Sequence, residues 1–345
     1  MRDLAREVLE GQEAWVVGGA LRDKLLGRDV VDLDIAVRDP RAAAREYAKR
    51  SGGAPFPLSE RHGAWRVALE EGRTVDFTPL RGSIEDDLAT RDFTINAIAV
   101  PLAGGEPADP YGGRADMETR IIRAVSPSVF ADDPLRLLRA VRLGDELAFR
   151  LDPDTEQLVR EHAELVTRPA GERTYAELVR LSEVGYRSAG ELGLLEPLGG
   201  SAEGLDRAEL IDSPEFRVVA VFGESLARLP VPNELLRYSR ALLRAQPPVD
   251  GSPRAIHRFR RATEPWALDA LAFVGASEHA EAVREARENE PAEPLLRGDE
   301  LGLPPGPEIG RLLELVEEER AAGAIQTREE ALELVGRELG RSGVK

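Results

Sequence analysis

Three aspartates near the N-terminus have the residue type and spacing needed for phosphoryl-transfer chemistry. Asp32 and Asp34 alternate in the run VVDLDIAV (30–37), so a β-strand would place both carboxylates on one face, about 6 to 7 Å apart. Asp76, in the strand-like run TVDFT, can supply a third carboxylate. Such a cluster binds divalent metal ions that activate an attacking hydroxyl and stabilise a leaving pyrophosphate. A bare Asp-x-Asp on a strand is more often an exposed polar face.

Two adjacent glycines add a second element of such a site. Gly18 and Gly19 follow the strand-like run AWVV (14–17) and begin a helical segment that contains Arg22. Glycines allow the backbone to approach a ligand closely, and the free amides of a helix start attract phosphate. A Gly-Gly turn by itself is more often a plain strand-to-helix connection. Its combination with the three aspartates favours a site for a nucleoside triphosphate.

The elements that must position these residues form an α/β unit followed by helices. Glu71-Gly72 predicts a hairpin between two strands, and SGGAPFP (51–57) is typical of a loop. After about residue 115, strand-like runs disappear and helical periodicity takes over. The predicted class is therefore α+β, with a mixed sheet flanked by helices and an all-helical remainder. The predicted strands are 14–17, 30–37, 65–69, 74–80 and 95–100.

Composition excludes several other classes of function. Lys plus Arg number 46 against 63 Asp plus Glu, a formal charge of −17, so the chain is not a nucleic-acid binder of basic bulk composition. Local clusters of arginine remain compatible with a nucleic-acid partner. No cysteine occurs, which excludes disulfides, thiol nucleophiles and cysteine-based zinc sites. The polar N-terminus and the lack of an apolar run of about 18 residues predict a cytoplasmic protein.

An Asp–Arg pair in a predicted helix, 133–148, has the chemistry to select bases. Asp133 and Arg136 stand at positions i and i+3, and Arg139 and Arg142 continue the stripe. Cytosine and adenine present an amino donor beside an unprotonated ring nitrogen, whereas guanine and uracil present the reverse pattern. An acceptor beside a donor can therefore accept C and A and reject G and U. An ordinary helix salt bridge is the alternative interpretation.

Several motifs together resemble a known family. GGALRD followed by DLD resembles the signature of the DNA polymerase beta-like nucleotidyltransferases. RDFTINA (91–97) and DDPLRLLRAVR (132–142) resemble motifs of class II tRNA nucleotidyltransferases and bacterial poly(A) polymerases. Residues 109–125 and 298–316 extend the resemblance, and residues 200–290 match least clearly.

The resemblance implies roles for individual residues. It implies transfer of nucleotides from CTP and ATP to the 3′ end of tRNA, with Mg²⁺ held by Asp32 and Asp34. It also implies that Asp133 and Arg136 select the base. For the RDFTINA residues it implies contacts with the ribose, and the alternative is a buried Arg–Asp pair that only stabilises the sheet edge. The implied nucleotide-binding residues are Gly18, Gly19, Arg22, Arg91, Asp92, Asn96, Asp133, Arg136, Arg139 and Arg142.

The family architecture predicts four segments. They are a catalytic head (1–115), a neck for nucleotide selection (116–190), a body (191–290) and a tRNA-binding tail (291–345). The tRNA is expected along the helical part, where the densest basic cluster offers phosphate contacts. A solvated basic helix face is the alternative reading of this cluster. Its members are Arg254, Arg258, Arg260 and Arg261.

One departure from the family concerns the product. Only Arg81-Gly82-Ser83 separate the strand 74–80 from the next helical segment. CCA-adding relatives usually carry a longer flexible loop there, linked to the switch from C to A addition, and CC-adding relatives lack it. The resemblance thus leaves CC or CCA addition open. A poly(A) polymerase is the close alternative, and a non-catalytic RNA-binding relative or an enzyme modifying a small molecule or protein are more distant ones.

Overall fold

The computed structural model describes residues 1–29, 32–59 and 63–342. Val30 and Val31, at the start of the predicted strand 30–37, lie outside the described residues, as do the last three residues of the predicted tail. The chain divides into two compact units, Met1–Leu198 and Gly199–Lys345. The first unit contains the predicted head, the whole predicted neck and the first residues of the predicted body, and the four-segment division remains a prediction.

A six-stranded mixed sheet lies at the centre of the first unit. Its order is β3-β4-β5-β2-β1-β6. Strands β2 and β5 are parallel, and the other neighbouring pairs are antiparallel. The predicted mixed sheet is thereby confirmed. The strands are β1 (Ala14–Val17), β2 (Asp32–Val37), β3 (Ala54–Ser59), β4 (Ala64–Ala68), β5 (Thr74–Pro79) and β6 (Ala99–Pro101).

Helices flank this sheet and continue through the rest of the first unit. They are α1 (Arg2–Val8), α2 (Gly19–Leu25), α3 (Pro40–Ser51), α4 (Ile84–Ala89), α5 (Gly113–Thr119), α6 (Val129–Asp132), α7 (Arg136–Leu147), α8 (Pro153–Glu161), α9 (Gly171–Leu178) and α10 (Glu183–Glu191). A two-stranded parallel pair, β7 (Ile121–Ile122) with β8 (Arg150–Leu151), interrupts the segment that the sequence predicts to be all-helical.

In the second unit, the described residues form helices and their connections, without a strand. Its α-helices are α11 (Pro214–Phe222), α12 (Asn233–Arg244), α13 (Pro253–Thr263), α14 (Ala267–Val274), α15 (Ala280–Glu288), α16 (Pro307–Ala321) and α17 (Arg328–Ser342). None of the described helices combines the length and the apolar character needed to cross a membrane.

The two faces of the sheet have different chemistry because side chains alternate along each strand. Leu33, Ile35 and Phe77 are buried on one face, where Phe77 packs against Tyr47 of α3 with ring centroids 5.7 Å apart. The opposite face of β2 and β5 carries the aspartates. Burial of the apolar face fixes the register, since a shift by one residue would put carboxylates into the core.

Three local predictions are wrong. The predicted loop 51–57 contains most of β3, and residues 95–100 form the end of a 3₁₀ turn, Thr94–Asn96, and the start of β6. Helix α7 begins at Arg136 rather than at residue 133. Asp133 is extended (φ −142°, ψ 99°), because the ring of the following Pro134 disfavours helical geometry in the residue before it. The predicted hairpin at Glu71-Gly72 is confirmed as the connection between antiparallel β4 and β5.

Gly113 at the start of α5 lies against the Thr94–Asn96 turn. A Cβ at Gly113 would lie 2.1 Å from the carbonyl oxygen of Thr94 and 3.0 Å from Ile98 Cγ1. We expect Gly113→Ala to lower the free energy of unfolding by about 1 to 3 kcal/mol, because backbone would have to move. Urea unfolding measures this change. Gly310→Ala is the control, since no atom lies within 4 Å of its Cβ, and unchanged stability of Gly113→Ala would contradict the packing argument.

Candidate active site

The predicted carboxylates meet at the centre of the sheet. The parallel register pairs Asp34 of β2 with Asp76 of β5, and Asp32 with Thr74. The Thr74 hydroxyl donates to Asp32 Oδ1 at 2.7 Å. Asp32 is exposed, Asp34 is half-buried and Asp76 is only 7% exposed. The three carboxylates therefore lie on one face of the sheet at increasing depth, from exposed Asp32 to buried Asp76.

Arg66 holds the third carboxylate. Its Nε and Nη2 donate to the two oxygens of Asp76, each at 2.7 Å. The antiparallel register of β4 and β5 places Arg66 directly opposite Asp76. The sequence analysis missed Arg66, and only the alternation within WRVAL offers a signal that it shares a face with the acids. This bidentate pair orients the Asp76 carboxylate.

The electrostatics of Asp34 reflect its crowded position. Burial, followed by repulsion from Asp76 and then Asp32, raises the pKa of Asp34 to about 6, although Arg91 acts in the opposite direction. Among the described residues, no three acidic or His side chains form a metal-binding group, which is consistent with the engagement of Asp76 by Arg66. Asp32 and Asp34 nevertheless fit a divalent cation, because a cation would relieve the repulsion that raises this pKa.

Gly18 packs directly against Asp34. Its φ of +75° suits glycine, and a Cβ would lie 3.0 Å from Asp34 Oδ2 and 3.7 Å from an Arg91 nitrogen. Arg91 Nη2 in turn binds Asp87 of α4 at 2.7 Å. The predicted close backbone approach at Gly18 is therefore present, and the group approached in this structure is the Asp34 carboxylate. No side chain caps the start of α2.

A chain of polar contacts extends from α2 to α7. Arg22 Nη1 donates to Asn96 Oδ1 at 2.9 Å, and Asn96 Nδ2 donates to Asp92 Oδ1 at 3.0 Å. Arg139 Nη2 lies 2.8 Å from Asp92 Oδ2. Burial opposes ionisation of Asp92, but Arg139, the Asn96 amide and the Phe93 backbone N–H outweigh it and lower the pKa. This chain fixes four predicted residues relative to one another.

The predicted base-selecting pair is present, but not as neighbours on one helix face. Asp133 precedes α7, accepts a hydrogen bond from Leu135 N at 3.2 Å and forms a 3.1 Å ion pair with Arg173 of α9. Arg136 donates to the carbonyl oxygen of Thr90 at 2.7 Å. The expectation of an i, i+3 pair is thus wrong. Both side chains still border the same cleft.

The cleft gathers most of the predicted residues. It encloses about 460 Å³, within the range of small-molecule sites. Asp87, Thr90 and Thr78 also border it, so its walls come from the sheet, α4 and the segment before α7. The predicted residues that line it are Gly18, Gly19, Arg22, Asp34, Arg91, Asp92, Asn96, Asp133, Arg136 and Arg139.

Arg142 has a different position from the other predicted arginines. It is 6% exposed and binds Glu146 at 2.6 Å and Glu177 of α9. It does not border the cleft. The predicted row of arginines along α7 therefore does not share one environment, because each further arginine is rotated around the helix axis. Arg142 instead connects α7 to α9 through Glu177.

The predicted RNA-binding arginines of α13 lie in the second unit and all have acidic partners. Arg254 pairs with Glu319 at 2.7 Å, and Arg258 pairs with Glu318 at 2.5 Å. Arg261 pairs with Glu314, also of α16, while Arg260 is 9% exposed and binds Glu264 and Glu290. The cluster is therefore neutralised within its own unit. A phosphate contact there would have to compete with these ion pairs.

The N-terminal part of the chain matches a known protein family, and nearly the whole chain is similar to two curated enzymes. Residues 14–83 and 66–123 match the poly(A) polymerase head domain. The CC-adding tRNA nucleotidyltransferase of Geobacter sulfurreducens is 34% identical over 391 residues, covering 93% of this chain and 91% of the relative. The A-adding tRNA nucleotidyltransferase of Deinococcus radiodurans is also 34% identical, with 94% and 95% covered.

A solved structure shares the fold of nearly the whole chain. The crystal structure of the Bacillus stearothermophilus CCA-adding enzyme in complex with CTP aligns with a TM-score of 0.79 and 27% identity. The alignment covers 99% of this chain and 98% of that one. The predicted α+β class is thereby confirmed for the sheet and for the helical segments that follow it.

Removal of the Asp34 charge is expected to stabilise the metal-free protein. The carboxyl has a pKa of about 6 instead of 3.8, so its ionised form costs the fold up to about 3 kcal/mol. Asp34→Asn should recover part of this energy at pH 7.5, measured by urea unfolding without metal. The wild type should gain the same contribution gradually as the pH falls from about 6 toward 3.8, because the folded state takes up the proton first.

The matched control is Asp29→Asn, an exposed aspartate of the same unit. It should leave the unfolding curve at pH 7.5 unchanged. A decrease in the stability of Asp34→Asn relative to the wild type would show that the Asp34 carboxylate contributes more through hydrogen bonds than it costs through repulsion.

Proposed function

The chain belongs to the tRNA nucleotidyltransferase family, and we propose that it adds the two cytidines of the CCA end to the 3′ end of tRNA. Its substrates in this proposal are CTP and a tRNA that lacks its terminal nucleotides. Pyrophosphate is the leaving group, and a separate enzyme would add the final adenosine. The cytoplasmic location expected from the sequence remains a prediction.

The observation that favours CC addition over CCA addition is the short connection between β5 and α4. Residues 80–83 form it, and it is held at both ends. Leu80 N donates to Val37 O at 2.9 Å, and Ser83 and Asp86 form a capping box through contacts of 3.2 and 2.8 Å. Addition of A is linked in the family to a longer flexible loop here. A short, anchored connection favours arrest after two cytidines.

Asp32 and Asp34 are the proposed ligands of the metal. Members of this family generally use divalent ions, and Mg²⁺ is our proposal because both donors are hard carboxylate oxygens. A cation held by Asp32 and Asp34 would supply Lewis-acid stabilisation of the negative charge that develops on the phosphate groups. Asp76 acts as the third carboxylate, and Arg66 orients it. The other residues of the site are proposed to position the 3′ hydroxyl of the RNA and the α-phosphate for reaction.

The cleft residues are proposed to hold the nucleotide. Arg22 and Arg139 supply guanidinium groups for the triphosphate, and Gly18 and Gly19 leave space for it. Asn96 and Asp92 lie between these two arginines and suit hydroxyl groups of the ribose, because an amide and a carboxylate can donate to and accept from them. Arg91 lies nearby, beside Asp34 and Asp87.

Asp133 and Arg136 are proposed to recognise the base. A carboxylate oxygen of Asp133 would accept from the amino group of cytosine, and Arg136 would donate to the adjacent ring nitrogen. The ion pair of Asp133 with Arg173 and the bond from Arg136 to the Thr90 carbonyl restrain both groups. Selection then depends on side chains of the protein and requires no template.

The nucleotide specificity can be read directly from product lengths. Transcripts of one tRNA ending at the discriminator base, after one C and after CC are each incubated with Mg²⁺ and a single nucleoside triphosphate. We expect C to be added to the first two transcripts and no A to the third. Addition of A to the third transcript alone would identify an A-adding enzyme, and long A tails would identify a poly(A) polymerase. Either result would overturn the proposal.

The proposed base contact predicts a loss of specificity in Asp133→Ala. Without the carboxylate, the amino group of cytosine loses its acceptor, so the preference for CTP over UTP in kcat/KM should fall about a hundredfold. Asp132→Ala is the matched control, because this neighbouring acid is exposed and binds Ser128 instead. Equal CTP preference in the two variants would contradict the role of Asp133.

A further inference from the structure

We propose that Phe56, on edge strand β3, stacks against the terminal base of the RNA that is being extended. This inference rests on the proposed function and adds a positioning residue to it. Arg66 lies between Phe56 and the carboxylates and would contact the backbone of the same RNA end. The sequence predicts a loop at Phe56, and no role follows from its motif.

The direction of attack indicates where the RNA end must lie. In phosphoryl transfer, the attacking and leaving oxygens are roughly in line on opposite sides of the phosphorus. The cleft borders Asp34 and Gly18 and also reaches Thr78 of β5 and Ala64 of β4. The residues proposed to hold the nucleotide lie on the Gly18 side, toward α4 and α7, so the pyrophosphate would leave on that side. The attacking hydroxyl must therefore approach from the other side of Asp34, across β5, β4 and β3.

The register of the sheet places Phe56 on this path. Asp34 pairs with Asp76, Asp76 with Arg66, and Arg66 with Phe56. Directly paired residues point to the same face, so the four side chains form one row. Three strand spacings separate Phe56 from Asp34, about 14 Å between backbones. The sugar and base of a terminal nucleotide span most of this distance.

The side chains of Phe56 and Arg66, at the end of this row, are accessible to solvent. Phe56 is 41% exposed, an unusual condition for a large aromatic residue. The Arg66 side chain is 33% exposed, and its Nη1 has no hydrogen-bond partner among the described residues. Single-stranded nucleic acids are bound by this combination of an aromatic surface for stacking and a cation for the backbone. The row therefore offers the two contacts that an RNA end needs.

The edge strand is unsuited to pairing with another strand. Pro55 and Pro57 flank Phe56 and lack backbone N–H groups, so β3 cannot donate at these positions. Addition of a peptide strand is thereby disfavoured, which leaves the side-chain face as the functional surface.

A fluorescent base at the RNA end tests the stacking directly. The probe is a tRNA transcript that ends at the discriminator position with 2-aminopurine, whose fluorescence falls when it stacks. Saturating wild-type protein without any nucleoside triphosphate should quench the probe. Phe56→Ala should lose most of this quenching, and Phe56→Trp should retain it. Equal quenching by Phe56→Ala and the wild type would overturn the inference.

Steady-state kinetics provide a second, independent measurement. Phe56→Ala should raise KM for tRNA about tenfold, since the stacked ring contributes to binding of the terminal base. The KM for CTP should stay unchanged. Val184→Ala, which truncates a side chain that is 68% exposed, is the control and should alter none of these constants. An increase in KM for CTP instead of tRNA would assign Phe56 to the nucleotide side and refute the proposal.

The two proposals fail separately. If the wild type adds A rather than C, the proposed function is wrong, while loss of quenching in Phe56→Ala would still support the stacking. If C is added but the quenching does not depend on Phe56, only the stacking is wrong. Thermal unfolding of Phe56→Ala at the wild-type temperature would confirm that the exposed ring has no structural role.

Discussion

Electrostatic repulsion among the carboxylates on one face of the sheet is the constraint on which the site depends. The parallel pairing of β2 with β5 forces Asp34 next to Asp76, and the apolar opposite face prevents the register from shifting. Arg66 relieves the repulsion at Asp76 through a bidentate pair. Asp34 keeps an elevated pKa of about 6. The protein therefore holds a partly uncompensated negative charge at the position where a cation would act.

The positive side of the site is organised by a continuous polar chain. Arg22, Asn96, Asp92 and Arg139 connect α2, the turn before β6 and α7 in successive contacts of 2.8 to 3.0 Å. Each acidic or amide group in the chain orients an arginine that borders the cleft. Because such contacts are made largely out of water, removal of one member would leave its neighbours without partners. The shape of the cleft thus depends on residues far apart in the sequence.

Charge is distributed unevenly along this acidic chain. The net charge of −17 belongs to the whole chain, while arginines concentrate around the cleft of the first unit. In the second unit, Arg254 and Arg258 of α13 are paired with Glu319 and Glu318 of α16. Exposed pairs of this kind contribute little to stability. Their effect is to neutralise the positive charge of α13 within its own unit.

The sequence by itself determined the class of fold, the family, the carboxylates and most of the cleft residues. These features follow from local alternation, from turn residues and from motifs whose chemistry is carried by a few contiguous positions. Tertiary structure alone decided which partners the charged residues take. Arg66 binds Asp76 because strand register pairs them. Arg142 binds Glu177 and lies away from the cleft. Asp133 precedes α7 because Pro134 follows it, and it forms an ion pair with Arg173 of α9. Long-range pairing depends on how elements pack, and no local pattern in one chain specifies it.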